Sequence, residues 1–284
     1  MSYAQPVPLE PDKTKEIEFR GGVNTPDFVL LKQVASNIRR GLPQVMPYNP
    51  NDQLALLVCG GPSLAVTEKE LVKAYWGGGK VVAVNGAYQW CLDRNIRPSA
   101  FVMLDAREFN ARFVETPVDG CHYLLASQCH PVAFDLCRGR KTTIWHGMSA
   151  GELEVEVLDA YYFKRYHPVT LGTTVAMRAI SLLRMLGFMR IEIFGLDSCW
   201  SGDQHHAYAQ PENDNERRMS VWLRPKDRDD KAQRFICSPW QAKQVEDFMM
   251  LVKERGNLFQ LEVHGPGLIA TMIRTGAEIS LEGA

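Results

Sequence analysis

Residues 53–64, QLALLVCGGPSL, decide how the rest of the chain is read. The apolar run Leu54–Cys59 has the length of a strand, breaks at Gly60-Gly61-Pro62, and leaves Ser63 where a helix can begin. Two glycines allow positive φ and close backbone approach, and Pro62 has its φ fixed near the value of a first helical turn. Such a strand-to-helix turn presents N–H groups at the positive end of a helix dipole, a place that favours phosphate or carboxylate, with the Ser63 hydroxyl as cap or ligand. A tight turn with no ligand fits the same residues, so the motif has to be judged with its neighbours.

Outward from this turn the pattern repeats. Strands are predicted at Val81–Val84, Ala100–Leu104, His122–Ala126, Thr142–Trp145, Ile191–Phe194 and Leu258–Val263. Helical segments are predicted at Ser63–Trp76, Tyr88–Arg94, Glu108–Phe113, Thr173–Leu186, Pro239–Arg255 and Gly267–Arg274. Alternation of this kind predicts an α/β, Rossmann-like fold, a predominantly parallel sheet with helices on both faces. Residues 1–50 read as an N-terminal arm with one amphipathic helix over 27–40, and residues 51–284 as the nucleotide-binding domain. Residues 148–168 fit neither period. Residues 198–235 are polar and irregular and read as a mobile loop, of the sort that serves as a lid or binding segment.

Composition narrows the class. The chain has 284 residues, 45% hydrophobic and 23% charged, ordinary for a globular protein long enough to bury a large core. A formal net charge of -1 gives no global field for nucleic acid or an anionic membrane. No apolar run approaches the roughly 20 residues of a membrane span, and MSYAQPVPLEPDK lacks the basic-then-apolar order of a secretion signal, so a cytoplasmic protein is expected. Seven scattered cysteines without a CxxC pair suggest free thiols rather than a disulfide frame or a zinc site. A homo-oligomer is compatible with all of this.

In an open parallel sheet, ligands bind beyond the carboxyl ends of the strands. The polar residues there are Gly60, Gly61 and Ser63, then Asn85, Asp105 with Arg107, Ser127 with Gln128, His146, and Asp197. Asn85 suits a turn, or an amide that holds a base or sugar hydroxyl. Asp105 suits a helix cap, or a carboxylate on ribose or metal; as a lone acid beside Glu108 it makes a poor magnesium cage. The turn Gly172-Thr173-Thr174 repeats the opening device, a glycine followed by hydroxyl caps at a helix start. His205, His206 and Tyr208 follow Asp197 in the loop, where a neutral imidazole can take a hydroxyl proton. Adjacent histidines diverge and lack a third ligand, so no metal is assigned. The loop cations Arg217, Arg218, Arg224, Lys226, Arg228, Lys231 and Arg234 suit either an anion clamp or, among interleaved acids, a solvated face.

The ordered set GGPSL, VNGA, LD, GTTVAMRAI, FGLD and HHAY resembles the 6-hydroxymethylpterin diphosphokinase MptE-like family, which includes the central domain of motility-associated factors that glycosylate flagellin. That domain is similar to bacterial CMP-sialic-acid-dependent sialyltransferases. The resemblance covers roughly residues 50 to 275. It implies that Gly60, Gly61, Pro62 and Ser63 hold donor phosphates, that Asn85 contacts nucleotide or sugar, that the Gly172–Thr174 turn faces the phosphates, and that Asp197 and His206–Tyr208 lie beside the reaction centre. Two departures stand out. Leu104-Asp105-Ala106-Arg107 replaces the DLDG-type acidic pair of magnesium-dependent pyrophosphoryl transfer, with Asn85 in place of another acid. Phe235-Ile236-Cys237-Ser238 stands where the sialyltransferases carry a base histidine, a role left to His205 or His206.

The expectation is a transferase, a glycosyltransferase by preference, with a nucleotide-activated small molecule as donor and an unknown acceptor. No cofactor is expected to be tightly bound; Mg²⁺ enters only under the alternative, a Mg·ATP pyrophosphokinase acting on a pterin-like alcohol. The remaining alternative is a non-enzymatic nucleotide-binding or scaffold protein.

Overall fold

Strand β2 (Asn51–Val58) occupies the apolar run, and Ala55, Leu56, Leu57 and Val58 are fully buried. Such continuous burial is what a central strand with parallel neighbours on both sides requires. The computed structural model describes residues 5–6, 24–224, 232–276 and 278–282. The arm before Asn24, apart from Gln5 and Pro6, and the loop cations Lys226, Arg228 and Lys231 lie outside the described residues.

In chain order, β1 (Gln5–Pro6), α1 (Asp27–Ile38) and β2 are followed by α2 (Leu64–Trp76), β3 (Lys80–Val84), α3 (Ala87–Leu92) and β4 (Ala100–Met103). A 3-10 helix (Glu108–Val114), β5 (His122–Ala126), α4 (Pro131–Leu136), β6 (Thr142–Trp145), α5 (Gly151–Tyr162), α6 (Val175–Met185) and β7 (Phe188–Phe194) continue it. The chain then forms β8 (Met219–Arg224), β9 (Gln233–Cys237), α7 (Pro239–Arg255), β10 (Gln260–Val263), α8 (Leu268–Thr275) and β11 (Glu278–Glu282). Seven strands make one parallel sheet in the order β10-β7-β2-β3-β4-β5-β6, with the helices around it: the expected α/β, Rossmann-like arrangement. Among the described residues no helix is long and apolar enough to cross a membrane.

Two stretches differ from the expectation. The unassigned segment 148–168 contains α5, whose periodic signal is weak because Glu154 and Leu158 are its fully buried side chains. The span 198–235, read as a loop, holds β8 and most of β9, paired antiparallel to each other. With β1 and β11 these make a second, four-stranded sheet in the order β1-β9-β8-β11. In β8 the buried residues Met219, Val221 and Leu223 alternate with half-buried Ser220, Trp222 and Arg224, the period of a sheet with one covered face.

Helix α1 does more than lead into the fold. Gln33 donates to the Ala106 carbonyl (3.0 Å), and Asn37 donates to the carbonyls of Ser127 (2.9 Å) and Cys129 (2.7 Å). These acceptors follow β4 and β5, so the helix covers one half of the carboxyl rim of the sheet.

Candidate functional site

The chain steps from β2 through β3, β4, β5 and β6 on one side, then returns to lay β7 on the other side of β2. Connections diverge at this point and leave a crevice beyond the strand ends. The turn after β2 meets the turn after β7 there. The Gly61 N–H donates to the Gly195 carbonyl and the Ser63 N–H to Asp197 Oδ2, both at 2.8 Å. A Cβ added to Gly61 would lie 2.1 Å from Asp197 Oδ2 and 2.6 Å from the Gly195 carbonyl, so only glycine admits this approach. The anion-favouring start of α2 thus already faces an internal carboxylate.

Asp197 is buried, and its Oδ1 has no hydrogen-bond partner among the described residues. Burial pushes its carboxyl up to about 6, against the opposing pull of the Ser63 backbone N–H and hydroxyl. That hydroxyl is itself fully buried and has no aligned hydrogen-bond partner.

The HHAY segment folds back over the same turn. The Ala207 N–H donates to the Gly60 carbonyl at 2.9 Å. A Cβ on Gly60 would stand 2.5 Å from the Tyr208 hydroxyl oxygen and 2.6 Å from His206 Cδ2, and one on Gly86 would strike the Tyr208 ring at 2.4 Å. Asn85, at φ 46° before Gly86, keeps a buried Oδ1 without a partner. His205 Nδ1 lies 2.5 Å from His206 Nδ1, and His205 Nε2 lies 2.8 Å from Asp214 Oδ1. Burial, with the neighbouring His205, lowers His206 to about 3, so its ring is neutral near pH 7. Burial raises the Tyr208 phenol, which stays protonated. Gly60, Gly61, Pro62, Ser63, Asn85, Asp197, His205, His206 and Tyr208 therefore belong to one cluster.

The other rim residues stand apart from it. Asp105 accepts from its own Arg107, 2.6 Å from Nη2 and 2.9 Å from the backbone N–H. Ser127 is fully buried beneath α1, with Gln128 and His146 also buried. The Gly172 turn has its own internal anion: the Thr173 N–H and hydroxyl both donate to Asp247 Oδ2 at 2.7 Å, and Lys243 pairs with Oδ1 at 3.2 Å. Thr174 accepts from Gln244 at 2.6 Å, and Gln244 accepts from Ser198 at 2.7 Å, which ties this turn to the end of β7. Cys237 donates to the Ser198 carbonyl, and its thiol is raised far above its usual range by burial, so it offers no acid or base. The loop cation Arg218 lies 3.8 Å over Trp200 and pairs with Asp203, while Arg234 donates to Ser220.

Magnesium does not suit the expected acids: Asp105 is neutralised by Arg107, and Glu108 projects outward at 74% exposure. Among the described residues, Glu192, Glu262 and His264 form a group that could hold an ion, with donor atoms within 4.8 Å of one another. Sequence gave no sign of this group, since the pairing of β7 with β10 sets Glu192 beside Glu262. Asp214 and Asp247 were also missed; each is one acid among many in a charged stretch, with no spacing rule to single it out.

A family model described as 6-hydroxymethylpterin diphosphokinase MptE-like matches residues 30–203. Among solved structures, the MAf glycosyltransferase from Magnetospirillum magneticum AMB-1 aligns with a TM-score of 0.61 at 15% identity, over 84% of this chain and 36% of that one. The chain spans well under half of that glycosyltransferase, and at this identity the likeness shows the fold alone. A mammalian sialyltransferase aligns at 8% identity over 87% of this chain and 81% of its own, with a TM-score of 0.36, too low to argue from. No curated protein matches the chain.

Proposed function

The chain belongs to the 6-hydroxymethylpterin diphosphokinase MptE-like family, and on that premise we propose that it is a transferase whose donor is a nucleotide-activated small molecule, the group transferred being a sugar. The observation that carries this reading is the convergence of Tyr208 and His206 on Gly60, with the Tyr208 ring also over Gly86, whose neighbour Asn85 keeps a buried Oδ1 without a partner among the described residues. Buried polar atoms without partners mark a place where a polar ligand recovers lost hydrogen bonds. The fold shared with a glycosyltransferase supports the choice of group.

In this reading the donor phosphate rests against the Tyr208 hydroxyl that covers Gly60, because the Gly61 and Ser63 amides are taken by Gly195 and Asp197. His206, neutral, takes the proton of the acceptor hydroxyl as its oxygen attacks the anomeric carbon. The bonding pair leaves with the nucleotide phosphate, whose growing charge meets the Tyr208 hydroxyl. Thr173 plays no part in that step, its donors being held by Asp247. Pyrophosphoryl transfer from Mg·ATP fits less well, as the Asp105–Arg107 pair leaves no acidic couple for the metal.

Calorimetric titration with CMP, CDP, UDP, GDP and ATP tests the proposal. At least one binds, and Gly60→Ala, which drives a methyl into Tyr208 and His206, weakens it tenfold or more. Binding of none of the five would refute the reading. Binding of ATP alone, with activity abolished by a chelator, would replace it with the pyrophosphokinase.

A further inference from the structure

With both imidazoles neutral, the Asp214–His205–His206 chain has a single hydrogen-bond polarity. An ionised carboxylate only accepts, so at 2.8 Å His205 Nε2 must carry the proton it shares with Asp214 Oδ1. In neutral His205 the other nitrogen, Nδ1, is then bare and can only accept. His206 Nδ1, 2.5 Å away, must be the donor. That leaves His206 Nε2 as the nitrogen with a free lone pair, on the ring whose Cδ2 overhangs Gly60. The order of donors along the chain is therefore set by the carboxylate, which cannot donate, together with a neutral His205.

The surroundings hold this geometry. His205 is 4% exposed and meets Trp200 edge-on, centroids 4.7 Å apart at 71°. Its ring lies 4.8 Å from that of His206 at 83°, and Trp240 at the start of α7 stands 6.3 Å from His206. Asp214 follows the short 3-10 turn Pro211–Asn213, and its N–H donates to the Pro211 carbonyl at 3.2 Å. Within that turn Glu212 is clamped by Arg112 through two hydrogen bonds of 2.5 and 2.8 Å. Asp214 itself is 62% exposed, so the chain runs from a covered ring to water.

We infer that Asp214 and His205 are positioning residues that hold His206 in the tautomer with a bare Nε2 and carry its surplus proton out to solvent. The inference rests on the reading of His206 as the acceptor's base. When Nε2 gains the acceptor proton, His206 gives its Nδ1 proton to His205 Nδ1. His205 becomes the cation, beside the Asp214 carboxylate, and releases a proton to water at that exposed end. One proton enters, one leaves, and no further reactant is needed. A surface aspartate that is anonymous in the sequence thus decides which nitrogen of a covered histidine is basic.

Nitrogen NMR of the imidazole rings in the full chain, without any substrate, tests this directly. Wild type shows His206 protonated on Nδ1 and bare on Nε2. In Asp214→Asn, whose amide can donate to His205 Nε2, and in Asp214→Ala, which frees it, the bare-Nε2 signal of His206 is lost or divided between two tautomers. Asp203→Asn, an exposed acid paired with Arg218, leaves the signal as in wild type. Nε2 protonated in wild type, or a His206 signal indifferent to both Asp214 variants, overturns the inference. Amide spectra of the variants verify that the fold is kept. Ring protonation is read without nucleotide, so a failure here is separate from a failure of any nucleotide to bind.

Discussion

Two turns of the molecule look alike in sequence and differ in how they are satisfied. Gly60–Ser63 opens α2 and Gly172–Thr174 precedes α6, and each meets an aspartate from a distant part of the chain. Asp247 receives the N–H and hydroxyl of Thr173 and a lysine on its other oxygen. Asp197, more deeply buried, receives the Ser63 N–H on one oxygen and nothing on the other. A helix start attracts an anion in both cases. What separates a structural joint from a candidate site is how much hydrogen-bonding capacity is left over. The α6 joint is complete; the α2 turn carries an under-solvated acid, a serine hydroxyl with no aligned partner among the described residues, and two aromatic rings above its first glycine.

Gly61→Ala breaks the comparison most forcefully. The new methyl meets a carboxylate oxygen and a backbone carbonyl, neither of which can move without opening β2 from β7, and a loss of about 3 kcal/mol or more is expected from such overpacking. Urea denaturation measures it. A loss below about 1 kcal/mol would mean that Asp197 is not seated in the turn as described.

Asp197→Asn comes next. An aspartate raised to about 6 holds its proton more tightly folded than unfolded. Its contribution to stability is therefore greatest below about pH 4 and declines as pH rises through 6, a change of about 2–3 kcal/mol. Asparagine keeps an acceptor for Ser63 and removes the charge. Relative to wild type the variant gains stability progressively from pH 4 to 6 and keeps the gain at pH 7. Denaturation midpoints of both proteins at pH 4, 5, 6 and 7 show this; parallel profiles would contradict the buried charge.

Asp247→Ala removes the saturated partner instead. The Thr173 N–H and hydroxyl lose their acceptor, and a cost of about 2 kcal/mol is expected for donors left unpaired. Because Asp247 belongs to the joint and not to the proposed cleft, nucleotide affinity in the titration above stays within twofold of wild type. A large drop in affinity at intact fold would show that both turns face the donor, as the resemblance implied.

The parallel sheet was legible because its strands are apolar on both faces: Leu54–Cys59 announces a strand without reference to any neighbour. The second sheet was not. Its strands alternate, as in Met219, Val221 and Leu223, and β8 completes its pairing with β11, more than fifty residues away in a stretch too short to read alone. The same reasoning divides the site. Gly60, Asn85 and Asp197 could be named from the rule that ligands gather at strand ends. That rule equally named Asp105 and Ser127, which Arg107 and α1 remove from the cleft, because the covering helix precedes the sheet in sequence and nothing in its own pattern says which rim it will cap. Asp214 and Asp247 act across separations of 9 and 74 residues, and contacts of that kind leave no periodic trace.

Gly60→Ala has the smallest expected effect on stability and is the most exacting test of the difference between the turns. Its methyl collides with the Tyr208 hydroxyl and a His206 ring carbon, atoms of side chains in a loop, where Gly61→Ala collides with a buried carboxylate and a backbone carbonyl. Rotation of two rings relieves the clash, so a cost of about 1 kcal/mol or less is expected. The rings can turn away only by leaving the positions from which the Tyr208 hydroxyl and His206 are proposed to meet the donor and the acceptor. Stability and affinity should therefore part company at this residue, with the protein nearly as stable as wild type and nucleotide binding down tenfold or more, about 1.4 kcal/mol in binding free energy. If affinity survives the methyl, the rings above Gly60 do not touch the donor, and the two glycine turns differ only in how well each satisfies its own aspartate.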